Sequence, residues 1–330
     1  MIHHTKLKAR REEAYAVRHK DNRVRDNSSS GGMFYLLAQH TIASGGLVIG
    51  AAFDDDFVLR HKAVSDMDDL MSLLGSKYVQ SDTQQIYKLT KESLQSGRQV
   101  LFSGTPCQVE ALYRYLGKSY DNLTTVDIIC HGVPSPLQWE RYKQWRTSQR
   151  KNTRMVQADF RDKSAGWRHY SLMLRFDNGS IHKGIAYDDP LTKAYRMELC
   201  SRPSCYGCPF KGALRMSDIT LGDFWGIEKV LRAMDDDRGT SLVILHSEKG
   251  ANLFRSLEAH MEAAEVDLNE ALQYNGAALR PPQPSERRDA YMKDMTVMDF
   301  GDLTRKYCSD DCFTACKKLV RKIIKKIIRR

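Results

Sequence analysis

The sequence predicts an α/β protein with α+β elements, in which a mixed sheet containing βαβ units is flanked by helices. Short apolar runs alternate with helix-length amphipathic stretches over residues 28–150, which is the rhythm of a parallel or mixed sheet. A hairpin signal follows, then a Cys-rich loop, and the chain ends in a predicted amphipathic helix. With 42% hydrophobic and 28% charged residues, the 330-residue chain can bury a core, which excludes disorder throughout.

The first predicted elements are a linker, a small-residue loop, a helix and a strand. Residues 1–27 are polar and basic without an apolar period, so we expect a linker. Residues 28–32 read Ser-Ser-Ser-Gly-Gly and lead into an apolar helix that ends near residues 44–46. The apolar run 47–53 is a predicted buried strand.

A βαβ unit follows. Residues 100–102 form a predicted strand, and residues 109–116 form the apolar face of a helix whose first turn contains Pro106. Residues 125–129 form the next predicted strand, which ends at Cys130. A strand, a helix and a second strand in this order favour parallel pairing.

From about residue 151 the pattern of predicted elements changes. Asp-Asn-Gly at 177–179 separates two apolar runs and predicts a hairpin. The later predicted elements are a helix at 191–199, the Cys-rich loop, strands at 219–224 and 241–245, and a helix from about residue 248. The expected organisation is a basic linker (1–27), one domain (28–262, with subregions 28–150 and 151–262) and a C-terminal helical segment with a basic amphipathic tail (263–330).

The net charge of +10 is concentrated at the C-terminus. Residues 317–330 hold eight Lys or Arg and no acid, which leaves only +2 for the remainder. A nearly neutral body argues against a nucleic-acid-binding face. No apolar stretch reaches the roughly 18 residues of a membrane span, and the N-terminus has no secretory apolar region, so we expect a cytoplasmic protein.

The cysteines favour metal ligation or redox chemistry over disulfides, because the chain is long and has no export signal. Cys205 and Cys208 form a Cys-x-x-Cys pair, which fits zinc, an iron–sulfur cluster or a redox dithiol. A four-cysteine site needs two further ligands. Cys107 and Cys130 each follow a strand of the predicted βαβ unit, and neighbouring strand ends lie side by side, so these thiols should be close together.

Other interpretations of the cysteines remain open. Cys107 can be a packing thiol at a helix start. A nucleophilic Cys130–His131 pair would indicate a cysteine hydrolase, but successive strand residues point to opposite faces, which disfavours it. Cys308, Cys312 and Cys316 are spaced by four and would form one column on a helix, where a small apolar stripe is favoured over a metal site.

Two segments suggest ligand contacts. Backbone N–H groups at a helix start bind phosphate, so residues 28–32 are a candidate phosphate loop, although they match neither a Walker loop nor a dinucleotide fingerprint and can be a simple helix cap. The strand ending in Gly-Asp-Phe-Trp-Gly at 222–226 places an acid and two aromatic rings at its tip. These rings are either core or a wall for a planar heterocycle.

Taken together, the motifs resemble the coenzyme F420 hydrogenase/dehydrogenase beta-subunit family over about residues 22–262. Their fixed order is more specific than any one of them. The motifs are Ser-Ser-Ser-Gly-Gly (28–32), Gly-Ser-Lys-Tyr (75–78), Gly-Thr-Pro-Cys-Gln (104–108), Asp-Ile-Ile-Cys-His-Gly-Val-Pro-Ser-Pro (127–136), Phe-Arg-Asp-Lys (160–163) with Gly-Trp (166–167), Arg-Pro-Ser-Cys-Tyr-Gly-Cys (202–208) and the segment 217–226.

The resemblance implies a flavin and iron–sulfur protein. Four cysteines match the positions that ligate one [4Fe–4S] cluster, namely Cys107, Cys130, Cys205 and Cys208, and four thiolates without histidine suit such a cluster. Cys200 matches no ligand position, and we expect a half-buried thiol near the cluster. The implied FAD contacts are Ser30, Gly31, Gly32, Lys77, Tyr78, Thr105 and Asp223.

The resemblance is closest to a bacterial subgroup. Many of its members begin with a ferredoxin-like segment, but no cysteine precedes Cys107, so we expect this module to be lacking. The implied partner is a separate ferredoxin-like electron carrier or the deazaflavin coenzyme F420. The family context adds cell-surface polysaccharide synthesis as a setting, by analogy alone.

The tail and the predicted site lead to two hypotheses of function. Pairs of Leu, Val and Ile alternate with pairs of Lys and Arg in residues 317–330, a pattern typical of an interfacial helix, so we expect contact with an anionic membrane surface rather than docking on the protein's own core or on a partner. The favoured hypothesis is an oxidoreductase that passes electrons between FAD, a [4Fe–4S] cluster and a redox partner. The alternative is a non-catalytic zinc-binding scaffold with a four-cysteine site at the membrane.

Overall fold

The protein is described by a computed structural model covering residues 12–213 and 215–309. The strands are β1 (Glu13–His19), β2 (Leu47–Phe53), β3 (Leu59–Val64), β4 (Val100–Gly104), β5 (Leu123–Ile128), β6 (Met155–Asp162), β7 (Ser171–Phe176), β8 (Ile181–Ile185), β9 (Ile219–Asp223), β10 (Ser241–Leu245) and β11 (Met261–Val266). The helices are α1 (Asn22–Asp26), α2 (Met33–Ala43), α3 (Met67–Leu70), α4 (Ile86–Gln95), α5 (Pro106–Leu116), α6 (Pro136–Ser148), α7 (Pro190–Arg196), α8 (Pro203–Tyr206), α9 (Ile227–Val230), α10 (Glu248–Ser256), α11 (Leu268–Gln273), α12 (Gly276–Leu279), α13 (Arg288–Asp294) and α14 (Phe300–Cys308).

The larger sheet is mixed, with the strand order β11-β1-β10-β9-β5-β4-β2-β3. Strands β2, β4, β5 and β9 are parallel neighbours, and β3, β10, β1 and β11 add antiparallel pairs at the two sides. Helix α5 connects β4 to β5, which is the predicted βαβ unit. This confirms the predicted fold class, a mixed α/β sheet flanked by helices.

Both faces of the parallel strands are buried, as expected when helices cover a parallel sheet. Val48, Leu101 and Val126 face one apolar cluster, in which helices α2 and α10 also pack. Ile49 and Phe102 face a second cluster with residues of α4 and α5. The near-continuous apolar composition of these strands follows from this two-sided burial.

The N-terminal region differs from the expected linker at 1–27. Strand β1 lies inside the larger sheet between β10 and β11, and α1 follows it. Ala14 and Ala16 pack on one face and Val17 on the other, all of them buried. Two of these three residues are alanines and the strand ends in Arg-His, so its apolar period is weak in sequence.

A smaller sheet, β6-β7-β8, carries the predicted hairpin at Asp177–Gly179 between β7 and β8. Its inner face shares an apolar cluster with α6, α7, α13 and α14. Cys200 is fully buried and Cys308 is buried in this cluster, so Cys200 is more enclosed than expected. The basic tail with Cys312 and Cys316 lies outside the described residues, and no described helix is long and apolar enough to cross a membrane.

Candidate functional site

The predicted site residues converge on one edge of the larger sheet. Strands β4, β5 and β9 run parallel, so the segments that follow Gly104, Ile128 and Asp223 leave the sheet at the same side. Strand β10 runs antiparallel to β9 and places Ser241 opposite Asp223. The start of β10 therefore lies at this carboxyl edge as well, which is where open α/β sheets bind ligands.

The loop at residues 28–32 is fixed against two strands of this edge. The Gly31 N–H donates to Ser241 Oγ (3.0 Å), and the Gly31 carbonyl accepts from the His19 N–H (2.7 Å). The Ser30 hydroxyl donates to the Thr240 carbonyl (2.7 Å). A Cβ on Gly31 would stand 2.2 Å from the Val17 carbonyl oxygen, so only glycine fits there.

Helix α2 begins directly after this loop. Its N-cap is Gly32, with φ +93°, and no side chain caps the first turn. Gly31 and Gly32 are buried, whereas residues 28–30 are half-buried. Of the three predicted FAD contacts in this loop, Ser30, Gly31 and Gly32, Ser30 is thus the one with a partly exposed side chain.

The segment 75–78 contacts the same loop. The Ser76 hydroxyl donates to Ser29 Oγ (2.9 Å). Lys77 turns back on its own segment, and its ammonium donates to the carbonyls of Leu74 (2.8 Å) and Gly75 (3.2 Å). Burial lowers the pKa of Lys77 to about 8, against the weaker opposing effect of Asp159.

Arg161, on β6, joins these segments to the strand end. Its guanidinium donates to Asp223 Oδ2 (2.7 Å) and Tyr78 Oη (3.0 Å) through one nitrogen, and to the Ser29 carbonyl (3.2 Å) through the other. It lies over the Tyr170 ring at 4.1 Å. Burial disfavours the charged guanidinium and would lower its pKa. The interactions with Asp223, Tyr78 and Tyr170 outweigh this effect and hold the pKa of Arg161 above its usual value.

Lys163, the first residue after β6, also contacts the loop at 28–32. Its ammonium donates to the carbonyls of Arg25, Ser30 (3.3 Å) and Arg238 (2.8 Å). Burial lowers the pKa of Lys163 to about 8, and the nearby charge of Arg161 adds to this effect. We call Ser29, Ser30, Tyr78, Arg161, Lys163 and Asp223 the Arg161 cluster.

The four predicted cysteine ligands occupy the adjoining part of the edge, which we call the cysteine edge. Cys107 is exposed in the first turn of α5, and Cys130 is half-buried just after β5. Cys205 lies in α8, and Cys208 follows it. Thr105 belongs here rather than to the Arg161 cluster, since its hydroxyl is 3.1 Å from Cys107 Sγ and it caps α5 with Gln108.

Backbone contacts hold the two cysteine loops together. The Ser135 N–H donates to the Cys200 carbonyl (2.9 Å), and the Arg202 N–H donates to the Val133 carbonyl (3.0 Å). Lys211 binds the carbonyls of Cys130 and Ala277. The loop after β5 and the loop of the Cys-x-x-Cys pair are therefore one packed unit.

The thiols influence one another. Burial raises the pKa of Cys130 to about 11, and Cys107 and Cys205 add to the increase. Burial also raises the pKa of Cys205, with smaller contributions from Cys107 and Cys208. A nucleophilic cysteine needs a lowered pKa, so this environment disfavours the cysteine hydrolase hypothesis.

The cysteine edge has suitable ligand chemistry but not the spacing of a bound metal ion. Within residues 12–213 and 215–309, no three or more Cys, His, Asp or Glu side chains stand close enough to hold an ion. Thiolate ligands of one tetrahedral zinc stand about 3.8 Å apart, from a zinc–sulfur distance of about 2.3 Å. A [4Fe–4S] cluster takes each thiolate on a different iron, so its ligands stand farther apart.

His131, which follows Cys130, interacts electrostatically with both groups. Burial lowers its pKa, while Asp223 opposes this and the charges of Lys211 and Arg161 reinforce it. The pKa of this imidazole thus depends on two residues of the Arg161 cluster, Asp223 and Arg161, and on Lys211 of the cysteine edge. Sequence reasoning did not select Arg161, Lys163 or Lys211, although the first two stand in the Phe-Arg-Asp-Lys motif that it noted.

Comparison with known proteins identifies a family and solved structures of similar fold. The family model for the C terminus of the coenzyme F420 hydrogenase/dehydrogenase beta subunit matches residues 97–270. A chain of the F420-reducing [NiFe] hydrogenase complex from Methanosarcina barkeri has a similar fold, with a TM-score of 0.51 and 17% identity over 82% of this chain and 95% of that one. No curated protein matches the sequence.

Proposed function

The chain belongs to the coenzyme F420 hydrogenase/dehydrogenase beta-subunit family, and from this premise we propose that it is an iron–sulfur flavoprotein oxidoreductase. Family membership supports a redox role. The finer proposal is that electrons pass between FAD at the Arg161 cluster, a [4Fe–4S] cluster at the cysteine edge and an external partner. The observation that carries it is that both groups of residues lie side by side at the carboxyl edge of the parallel strands.

The Arg161 cluster fits the anionic, acceptor-rich chemistry of a flavin dinucleotide. Arg161 is a buried cation beside the loop at 28–32, and Lys163 and Lys77 are half-buried cations next to it. Burial disfavours the charged forms of the Lys163 and Lys77 ammonium groups. A diphosphate would stabilise these charges and would itself be bound by them. Ser30, Gly31, Gly32, Lys77, Tyr78 and Asp223 are the proposed flavin-binding residues, and Thr105 is a weaker proposal because it contacts Cys107.

The cysteine edge fits a cluster through its donor chemistry. Cys107, Cys130, Cys205 and Cys208 supply four thiols from loops that are already packed together. The raised pKa values of Cys130 and Cys205 mean that ligation would have to release protons, as thiolate ligation requires. A flavin, when bound, interconverts two-electron and one-electron transfer, and a neighbouring cluster accepts or supplies the single electrons.

The proposed redox partner is deazaflavin coenzyme F420 or a ferredoxin-like carrier. The hydrogenase complex with a similar fold is described as F420-reducing, which supports the first choice by analogy. The basic pattern of residues 317–330 supports a second proposal, contact with an anionic membrane surface. Polysaccharide synthesis stays a proposed setting without a structural observation behind it.

The proposal is tested by anaerobic purification followed by absorption spectroscopy and by iron, zinc and flavin analysis of the same sample. We expect flavin bands over a broad absorption that bleaches with dithionite. Cys205→Ser should remove most of the iron, whereas the matched control Cys200→Ser, a fully buried thiol outside the four, should keep it. A colourless protein with one zinc would contradict the proposal and favour the scaffold alternative, and a colourless metal-free protein would contradict both.

A further inference from the structure

We infer that Arg161 is the positioning residue of the proposed flavin site, holding the loop at 28–32 in its binding conformation before any ligand arrives. The inference rests on the proposed function and extends it to a residue that contributes through the loop. It starts from a single buried guanidinium that reaches three separate segments, namely the Ser29 carbonyl, the Tyr78 hydroxyl and the Asp223 carboxylate.

The geometry requires the shape of arginine. Its planar fork presents donors in fixed directions, so one end can bond Tyr78 and Asp223 while the other bonds the Ser29 carbonyl. The Tyr170 ring lies against the guanidinium at 4.1 Å and restricts its rotation. A lysine retains the charge but offers one compact donor centre, so it cannot hold both ends at once.

The charge of Arg161 is already used within the protein. Asp223 binds it at 2.7 Å, and both side chains are largely buried. Lys163 fixes the next residue of the loop through the Ser30 carbonyl (3.3 Å). Two cations on β6 and in the turn after it therefore hold two successive carbonyls, which fixes the backbone of residues 29 and 30.

A second buried arginine provides a matched control. Arg146 is paired with Asp189 at 2.9 Å and lies over the Trp145 ring at 4.1 Å. Its Nε is buried without a hydrogen-bond partner in the described residues, as is that of Arg161. Arg146 anchors helix α6 to the turn before α7 and contacts no residue of the loop at 28–32 in the described structure.

The experiment compares Arg161→Lys with Arg146→Lys in the full chain. We measure thermal stability, amide hydrogen exchange of residues 28–32 without flavin, and the Kd for FAD. Both variants should lose a similar amount of stability, because each replaces the guanidinium of a buried arginine–carboxylate pair. Only Arg161→Lys should speed exchange of the loop, and it should raise the Kd for FAD by about tenfold or more.

Each outcome separates the inference from the proposed function. If the wild-type protein binds no FAD, the proposed function fails, and the role of Arg161 in flavin binding fails with it. If the wild type binds FAD but Arg161→Lys leaves either loop exchange or the Kd unchanged, the inference alone is overturned. Faster exchange and weaker binding in both arginine variants would also overturn it, because the effect would then be general loss of stability.

A second variant covers the case in which Arg161→Lys does not fold. Tyr170→Leu removes the ring beside the guanidinium and the hydrogen bond between Tyr170 and Tyr78, but leaves Asp223 and the Ser29 carbonyl in place. It should produce a smaller change in the same two quantities, faster loop exchange and a higher Kd for FAD. Wild-type values of both in a folded Tyr170→Leu protein would contradict the inference.

Discussion

The Arg161 cluster and the cysteine edge lie at the same end of the sheet, but they are built in different ways. In the Arg161 cluster, side-chain donors and backbone acceptors are already paired, and Gly31 is in contact with two strands. At the cysteine edge the loops are fixed through their backbone, burial raises the pKa of Cys130 and of Cys205, and within the described residues the side chains do not stand close enough to hold a metal ion. A loop that binds phosphate can be complete before its ligand, whereas a thiolate site is closed by the metal that neutralises it.

The largest expected effect tests the rigidity of the Arg161 cluster. The Cβ of Gly31→Ala would lie 2.2 Å from the Val17 carbonyl oxygen and 2.6 Å from the Ser241 nitrogen, both backbone atoms that cannot rotate away. We expect the free energy of unfolding to fall by about 1–3 kcal/mol, as in other overpacked sites. Urea denaturation measures this loss, and the FAD content should decrease with it.

The control for this prediction is Gly276→Ala, at the start of α12, where an added Cβ has no neighbour within 4 Å. It should cost no stability, because alanine also favours a helix over glycine. If Gly31→Ala were as stable as Gly276→Ala, the loop would have room to move. The Arg161 cluster would then not be more rigid than the cysteine edge, and the contrast between the two regions would be wrong.

A middle-sized effect concerns pH. Burial lowers the pKa of Lys77 and of Lys163 to about 8, so the folded protein has lost these protons in a range where the unfolded chain, with a usual lysine pKa near 10.5, still holds them. For these two lysines the unfolded state binds more protons between about pH 8 and 9.5, so without flavin they make the stability rise with pH. The thiols of Cys130 and Cys308, whose pKa burial raises to about 11, act in the opposite direction above about pH 8.5. Chemical denaturation at several pH values measures the slope.

Lys163→Met should reduce this slope, and Lys62→Met, at an exposed ion pair with Asp69, should leave it unchanged. Bound FAD should reduce the contribution of the two lysines to this slope, because its phosphates favour the charged ammonium groups and raise their pKa toward the usual value. A slope between about pH 8 and 9.5 that Lys163→Met leaves unchanged would show that the Lys163 ammonium is better solvated than the structure indicates.

The sequence predicted the parts of the molecule that depend on local pattern. The strand Leu47–Phe53, the β4–α5–β5 unit and the hairpin before β8 each follow from apolar runs and turn residues. The meeting of Cys107 and Cys130 at one edge follows from parallel pairing. β1 was missed because two alanines give it little apolar signal, although pairing with β10 and β11 buries it.

The Arg161 cluster could not be predicted in this way. Arg161 is 132 residues from Ser29 and 62 from Asp223 along the chain, and a charged residue in a strand gives no local sign of burial. Its role depends on packing of the smaller sheet beside the carboxyl edge of the larger one. The motif Phe-Arg-Asp-Lys marked the segment as unusual, but only the three-dimensional contacts identify which side chain connects the loops.

The smallest expected effect is on Thr105, and it tests whether this residue belongs to the cysteine edge or to the flavin contacts. Thr105 forms a capping box with Gln108, whose side chain accepts from the Thr105 N–H (2.9 Å). Thr105→Ala should therefore lower the free energy of unfolding by about 1 kcal/mol, and Thr105→Ser, which keeps the cap, should lower it by less. Both variants should bind FAD as the wild type does, because the hydroxyl faces Cys107. If both variants kept their iron but bound FAD about tenfold more weakly, Thr105 would be a flavin contact. The residue that follows β4 would then belong to the flavin site and not to the cysteine edge.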